Sequence, residues 1–211
     1  MSEPVVGSLL KEQLLYERQK LRALVHRRLQ ILSQQSAERN RMKQSRDEQI
    51  QELIQEAITF YQKQMDQIDK QISTLITAKE ELKRQGEILN SCPGVGPATI
   101  GILMAELPEL GERNRGQIAK RVGVAPIARD SGTKEGRRRT TAGQSLVRKI
   151  LDMAALVSTR HNPRFKAYYE ALVQRGKPKK VALVAVIRKM LITLNTMSKN
   201  QKMWNEKTAT T

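Results

Sequence analysis

The sequence is short of several things, and each shortage removes a class of protein. It has one cysteine, Cys92, in 211 residues. No internal disulfide can form, which fits a reducing, cytoplasmic setting. Aromatic residues make up 3%, and no segment alternates convincingly between apolar and polar residues. That composition favours helices over a β-sandwich. The two histidines, His26 and His161, stand far apart. With one cysteine and scattered acids they offer no metal-ligand constellation, and no metal or other cofactor is expected on this chain. No run of about 18 apolar residues occurs. The most apolar stretch, 181–194, is interrupted by Arg188 and Lys189. The first 30 residues hold no signal-type run either, so no membrane partner is expected. Acids are scarce as well. There are 21 against 38 Lys and Arg, a formal charge of +17. That excess is far beyond what solubility requires and points to a polyanionic partner.

What the chain does have is helical periodicity. Leu10, Leu14, Leu21, Leu24 and Ile31 fall on one line, with Glu17 and Arg28 in the same series. Residues 33–48 are polar and read as either a solvated helix or a flexible joint. From Ile54 the spacing of four and three continues through Ile58, Tyr61, Met65, Ile68, Ile72, Leu75, Leu82 and Leu89, with Lys79 and Gly86 as exceptions. A sustained 3.5-residue repeat predicts a coiled coil. Its partner is either the 9–32 helix folded back or a second subunit. The greater length of the second helix favours a dimer. Residues 1–90 thus read as a coiled-coil arm. The acidic pairs Asp47/Glu48, Asp66/Asp69 and Glu80/Glu81 read as solvated faces of that arm rather than magnesium ligands.

Composition changes at Ser91. Cys92-Pro93-Gly94-Val95-Gly96-Pro97 predicts a tight turn, with Pro97 opening the next helix. Two helices joined by such a turn have the pattern of a helix-hairpin-helix. Glycines let the backbone approach a phosphate, and the N–H groups around Gly94, Gly96 and Ala98 would point at it. An ordinary inter-helix turn is the plainer alternative. Further helices are expected over 98–107, 116–122 (closed by Gly123 in a left-handed cap), 144–160, from Pro163 to near Gly176, and 179–197. Residues 91–198 read as a compact all-α domain and 199–211 as a polar tail.

Between Arg113 and Lys149 eleven bases face only Asp130 and Glu135, a net +9. At the centre lies Arg129 to Arg148, with Ser131, Lys134 and the triplet Arg137, Arg138, Arg139. A serine hydroxyl needs a base or strong electrostatic help to act as a nucleophile. No histidine is near in sequence. The arginines at 129, 137, 138, 139 and 148 could instead cradle a phosphate and stabilise its displacement. The alternative is a plain Asp-Ser-Gly turn in a solvated basic loop. Tyr168 and Tyr169 are rival nucleophiles, but they share an amphipathic helix with Phe165, and at least one of them reads as core. No aromatic lies between Tyr61 and Phe165 to give the basic region a stacking platform.

Several of these segments, in order, resemble the insertion-sequence-110 family of transposases. They are Asn90 to Thr99, then Gly123-Val124-Ala125-Pro126 with Asp130-Ser131-Gly132 and Gly136-Arg137. Gly143, Val147-Arg148-Lys149, Met153-Ala154-Ala155 and the Lys177 to Lys189 region follow. The likeness runs from about Asp66 to Met197. It implies a DNA transposase or recombinase domain whose serine nucleophile falls on Ser131, working with DNA and a structured guide (bridge) RNA in the bacterial cytoplasm, associated with the nucleoid. Family members also carry an N-terminal RuvC-like domain that binds magnesium through four carboxylates. Residues 1–90 have no counterpart to it. Magnesium is therefore expected only through such a missing domain, and the chain reads as a truncated or split form.

Overall fold

The computed structural model describes residues 3–125 and 143–205; for residues 3–11 it describes the backbone alone. Among the described residues there are eight helices and no strand. The all-α expectation therefore holds. The chain divides into two compact units, 1–83 and 84–211.

The first unit is a helical hairpin. Helix α1 (Glu3–Gln44) folds back on α2 (Glu48–Thr77). The polar stretch expected to be a solvated helix or a joint is mostly helix, and the turn is confined to residues 45–47. Asp47 starts α2 by accepting a hydrogen bond from the Ile50 amide at 3.1 Å, as a helix cap should. The apolar line anticipated on α2 is the buried one: Met65, Ile68, Ile72 and Leu75 face inward. Leu21, Val25 and Ile31 of α1 are buried as well.

Two details explain why the hairpin outran the sequence pattern. Gln35 is 2% exposed. Its amide donates to the Ile58 carbonyl and to Gln62, each at 3.2 Å. A buried, satisfied glutamine thus continues the seam where no apolar residue marks it. Arg28, a polar intruder in the first line, forms a two-pronged pair with Asp69 at 2.5 and 2.9 Å. Because α1 is 42 residues long, the premise that α2 is too long for the first helix does not hold. The heptad line is also not one helix. It breaks at residues 78 and 79, where Lys79 interrupts it, before α3 (Glu80–Asn90) begins.

In the second unit, α4 (Pro97–Glu106) is buried along nearly its whole length, from Thr99 to Glu106. It packs on α6 (Ser145–His161). Helix α6 also meets α5 (Arg115–Val122), α7 (Pro163–Gln174) and α8 (Lys179–Asn200). Asn162 is shared by two helices. It ends α6 and caps α7, its side-chain oxygen accepting from the amides of Arg164 and Phe165 at 3.0 and 3.3 Å. Pro163 then occupies the first turn of α7. Helix α8 is long and apolar enough to cross a membrane by length and composition. Here Ala182, Val186, Ile187, Met190, Leu191 and Leu194 are buried, on a helix packed against α5, α6 and α7.

The stretch after α8 is more than a polar tail. Gln201 turns the chain in a left-handed conformation (φ 51°). Trp204 donates its backbone N–H to Ser91 Oγ at 2.8 Å and stacks at a tilt on Phe165, with ring centroids 5.6 Å apart.

Candidate nucleic-acid interface

The turn between α3 and α4 is built as the glycine pattern requires, but its glycines do different things. Gly94 has φ +92°, and a Cβ there would lie 2.0 Å from Ser158 Oγ and 3.1 Å from the Ala154 carbonyl. Glycine at 94 lets the turn sit directly on α6. Ser158 secures the contact by donating to the Pro93 carbonyl at 2.8 Å. The Val95 amide is engaged inside the turn, bonded to the Cys92 carbonyl at 3.0 Å. Cys92 is 1% exposed, and burial pushes its thiol up to about 12. Gly96 is different. It precedes α4 in an extended conformation, with nothing within 4 Å of where a Cβ would stand. No side chain caps this helix start, and Pro97 and Ala98 are exposed.

The second element is the base of the basic stretch. Helix α5 starts with a reciprocal cap between Asn114 and Gln117. It ends, as expected, on Gly123 in the left-handed conformation (φ 77°). The Val124 and Ala125 amides then bond back to the Ala119 carbonyl at 2.9 and 3.2 Å. On the far side of residues 126–142, the chain resumes at Gly143 against the same helix end. A Cβ on Gly143 (φ +94°) would fall 2.5 Å from the Gly123 nitrogen and 2.7 Å from the Arg121 carbonyl oxygen. Gln144 adds two bonds: its amide to the Arg121 carbonyl at 3.1 Å and its side chain to the Glu106 carbonyl at 2.7 Å. The described flanks of the stretch therefore leave from and return to one point. Ser131, Arg129, Lys134, Arg137, Arg138 and Arg139 lie outside the described residues.

Arg148 is described, and it is engaged. Its guanidinium donates to the Val122 and Gly123 carbonyls, both at 3.4 Å. Those are the free carbonyls at the C-terminus of α5, where a cation is favoured. One turn further along α6, burial raises the Asp152 carboxyl above its usual range, and the Arg148 charge opposes that shift. Asp152 gave no sequence signal, because a lone acid on an amphipathic helix looks like solvated surface. Of the rival nucleophiles, Tyr168 carries the Lys189 ammonium 4.4 Å from its ring centroid. Among the described residues, no group of three or more His, Cys, Asp and Glu could hold a metal ion.

Among its described residues the second unit is helical, with an open helix start of the kind that can meet a phosphate and a fixed base under the basic stretch. Comparison with known proteins is more specific. The segment 86–170 matches the transposase IS116/IS110/IS902 family. It runs from α3 into α7 and contains both elements just described. The chain is 30% identical over 141 residues to the pilin gene-inverting protein of Moraxella bovis, covering 64% of this chain and 43% of that protein. The protein of the same name from Moraxella lacunata matches to the same extent. An uncharacterised 43.6 kDa protein of insertion element IS110 from Streptomyces coelicolor is 24% identical over 143 residues, covering 67% of this chain and 34% of that protein. The chain thus spans less than half the length of these curated relatives.

Proposed function

We propose that the chain takes part in DNA transposition or recombination, exchanging strands by phosphoryl transfer with Ser131 as the nucleophile. The observation that carries this is the family segment itself. It brackets residues 126–142, and its described flanks are drawn together at Gly143 and Gln144 on the end of α5. A basic stretch whose described flanks meet at one fixed point suits a group that must meet one phosphate.

In the reaction, Ser131 Oγ attacks the phosphorus of a DNA phosphodiester. One bridging P–O bond breaks as the Oγ–P bond forms. The serine proton is lost, and the departing sugar oxygen gains one. The phosphoserine ester preserves the linkage for attack by the hydroxyl of another strand. Arg129, Lys134, Arg137, Arg138 and Arg139 neutralise the phosphate oxygens, on which charge concentrates as the bond changes. Backbone N–H groups at Gly94, Gly96 and Ala98 hold a neighbouring phosphate, and the open position at Gly96 supports this best. The described side chains do not fit the magnesium site that the resemblance implies for a RuvC-like domain, and no step here is routed through it. A structured guide RNA is a further partner in this reading. A second copy of the chain is another, and three large apolar side chains on α2, Ile50, Leu53 and Phe60, at 48, 62 and 56% exposure, support it.

A non-catalytic dimeric module that binds DNA or RNA is the second reading. It is favoured by Arg148, which is occupied with the end of α5. The two readings separate on one experiment. The chain is incubated with labelled DNA, a guide RNA, a RuvC-like partner domain and magnesium, then run on a denaturing gel. A covalent protein–DNA adduct that disappears in Ser131→Ala, with binding retained, supports the nucleophile. An adduct that survives the substitution removes Ser131 from the role. Binding with no adduct at all leaves the module.

A further inference from the structure

A second basic feature lies at the other end of α5. The loop before α5 and the C-terminal end of α8, with the residues that follow it, enclose a groove of about 550 Å³. Arg113, Arg115, Lys199 and Lys202 line it, and among the described residues no Asp or Glu does. All four cations are exposed. Trp204 and Met203 complete the lining.

The groove has a fixed frame. Asn195, 3% exposed, accepts from the Gly111 amide at 2.9 Å and donates to the Arg113 carbonyl at 2.8 Å. This ties the loop before α5 to α8. The other wall is set by the left-handed turn at Gln201 and by the Lys202 amide, which bonds to the Met197 carbonyl at 3.1 Å. Trp204 Nε1 and Ser198 Oγ are buried without a hydrogen-bond partner. Such orphaned groups are uncommon in native structures and call for a cause.

We propose that this groove holds a single strand of DNA, with phosphates on the four cations and a base against Trp204 and Met203. The proposal rests on the DNA-recombining reading and adds a second contact to it. Charge selects a polyanion. Size selects one strand: the concavity is that of a small-ligand pocket, not of a duplex-wide channel. The pairing of cations with an aromatic face is how sequence-tolerant single-strand sites are built. Position selects DNA. Helix α5 separates the groove from the clamped base of the basic stretch by about 12 Å, at 1.5 Å per residue over eight residues. At about 3.4 Å per nucleotide along a strand, that is roughly three or four nucleotides from the base of the basic stretch, so a strand bound at one can continue to the other.

Trp204 is the sole tryptophan, so its fluorescence reports on the groove alone. The full chain is titrated with single-stranded DNA, duplex DNA and single-stranded RNA, following tryptophan quenching and the anisotropy of the labelled nucleic acid. Single-stranded DNA is expected to quench saturably and more strongly than the other two. Arg115→Ala with Lys199→Ala is expected to weaken binding about tenfold and to lower the salt slope by about 1.4, two phosphate contacts' worth. Arg113→Ala with Lys202→Ala should do the same, which guards against a fault peculiar to one pair. Binding seen by anisotropy without quenching overturns the groove and leaves the recombinase reading standing. Equal or stronger quenching by duplex or RNA overturns the assignment to a single DNA strand. Quenching that persists when no Ser131 adduct ever forms keeps the groove and removes the catalytic reading instead.

Discussion

Gly143 lies flat against the backbone of Gly123, so close that a methyl group on Gly143 would come within 2.5 Å of the Gly123 nitrogen. The neighbouring atoms are backbone and cannot swing aside. The residue also has φ +94°, which disfavours any side chain. Gly143→Ala is therefore expected to destabilise the second unit by about 2–4 kcal/mol, combining strain and overpacking. Chemical denaturation of wild type and variant reads this directly. Wild-type stability in the variant would show that residues 143 and 123 are not pressed together.

Arg148 was expected at a phosphate and is found on the carbonyls of Val122 and Gly123. Arg148→Ala should therefore cost stability even without nucleic acid, by about 1 kcal/mol, in the range for a charge at a helix end and its hydrogen bonds. A residue serving only the ligand would leave the free protein's melting curve unchanged. Asp152 should respond in the opposite sense. Burial holds its folded-state pKa above the unfolded one. The folded state then binds more protons between those two values, and stability falls as pH rises through that window. Asp152→Asn should be more stable than wild type at neutral pH and should lack that acid-side dependence. A less stable Asn variant at neutral pH would show that the carboxylate is held by favourable contacts.

Much of the fold was legible because its signals are local. Pro97 and Pro163 at helix starts, Gly123 at a helix end and the heptad line on α2 each depend on a few neighbouring residues. The hairpin partner was not legible, because the seam is continued by Gln35 and Arg28. Both are satisfied only by residues more than twenty positions away: Ile58 and Gln62 for Gln35, and Asp69 for Arg28. The groove was missed for a similar reason. Arg113 and Arg115 counted towards a basic stretch, but their meeting with Lys199 and Lys202 is a tertiary fact. Gly94 shows a third limit. A glycine beside a turn can serve a ligand or a packed helix, and the sequence is the same in both cases.

The Arg28–Asp69 pair supports a prediction of its own. The hydrogen bond to Asp69 raises the Arg28 pKa, while burial works against it. The side chains are 24% and 46% exposed, so solvent and salt screen the pair, and its coupling should be about 0.5–1 kcal/mol. A double-mutant cycle with Arg28→Met and Asp69→Asn measures the coupling. The same cycle in 1 M salt should return a smaller value. A coupling that salt leaves intact would mean the pair acts through packing rather than charge.

Cys92 should behave as an inert thiol. It is 1% exposed, with a pKa pushed up to about 12 by burial, so almost no thiolate is present at pH 8. Modification by a thiol reagent should wait for unfolding. In alkali the sign follows from proton counts. Above the unfolded thiol's pKa, near 8.5, the unfolded state loses its proton while the folded state keeps it. Stability then falls by up to about 1.4 kcal/mol per pH unit until the folded thiol also ionises. Cys92→Ala should lose this alkaline slope. Rapid labelling of the native protein at pH 8 would contradict the burial.

Gly94 and Gly96 separate packing from binding within one turn. Alanine at 94 meets Ser158 Oγ at 2.0 Å in a left-handed backbone, so Gly94→Ala should lower stability by about 2–4 kcal/mol with or without DNA. Alanine at 96 meets nothing within 4 Å, and the backbone there is extended. Gly96→Ala should leave stability within about 0.5 kcal/mol of wild type. Its added methyl stands at the open start of α4, where a phosphate must come close to the N–H groups. Weaker binding of duplex DNA by Gly96→Ala, with an unchanged unfolding curve, is therefore the expected signature of a backbone contact at this turn. Unchanged affinity would mean that the turn only joins α3 to α4, and that the basic stretch and the groove carry the binding without it.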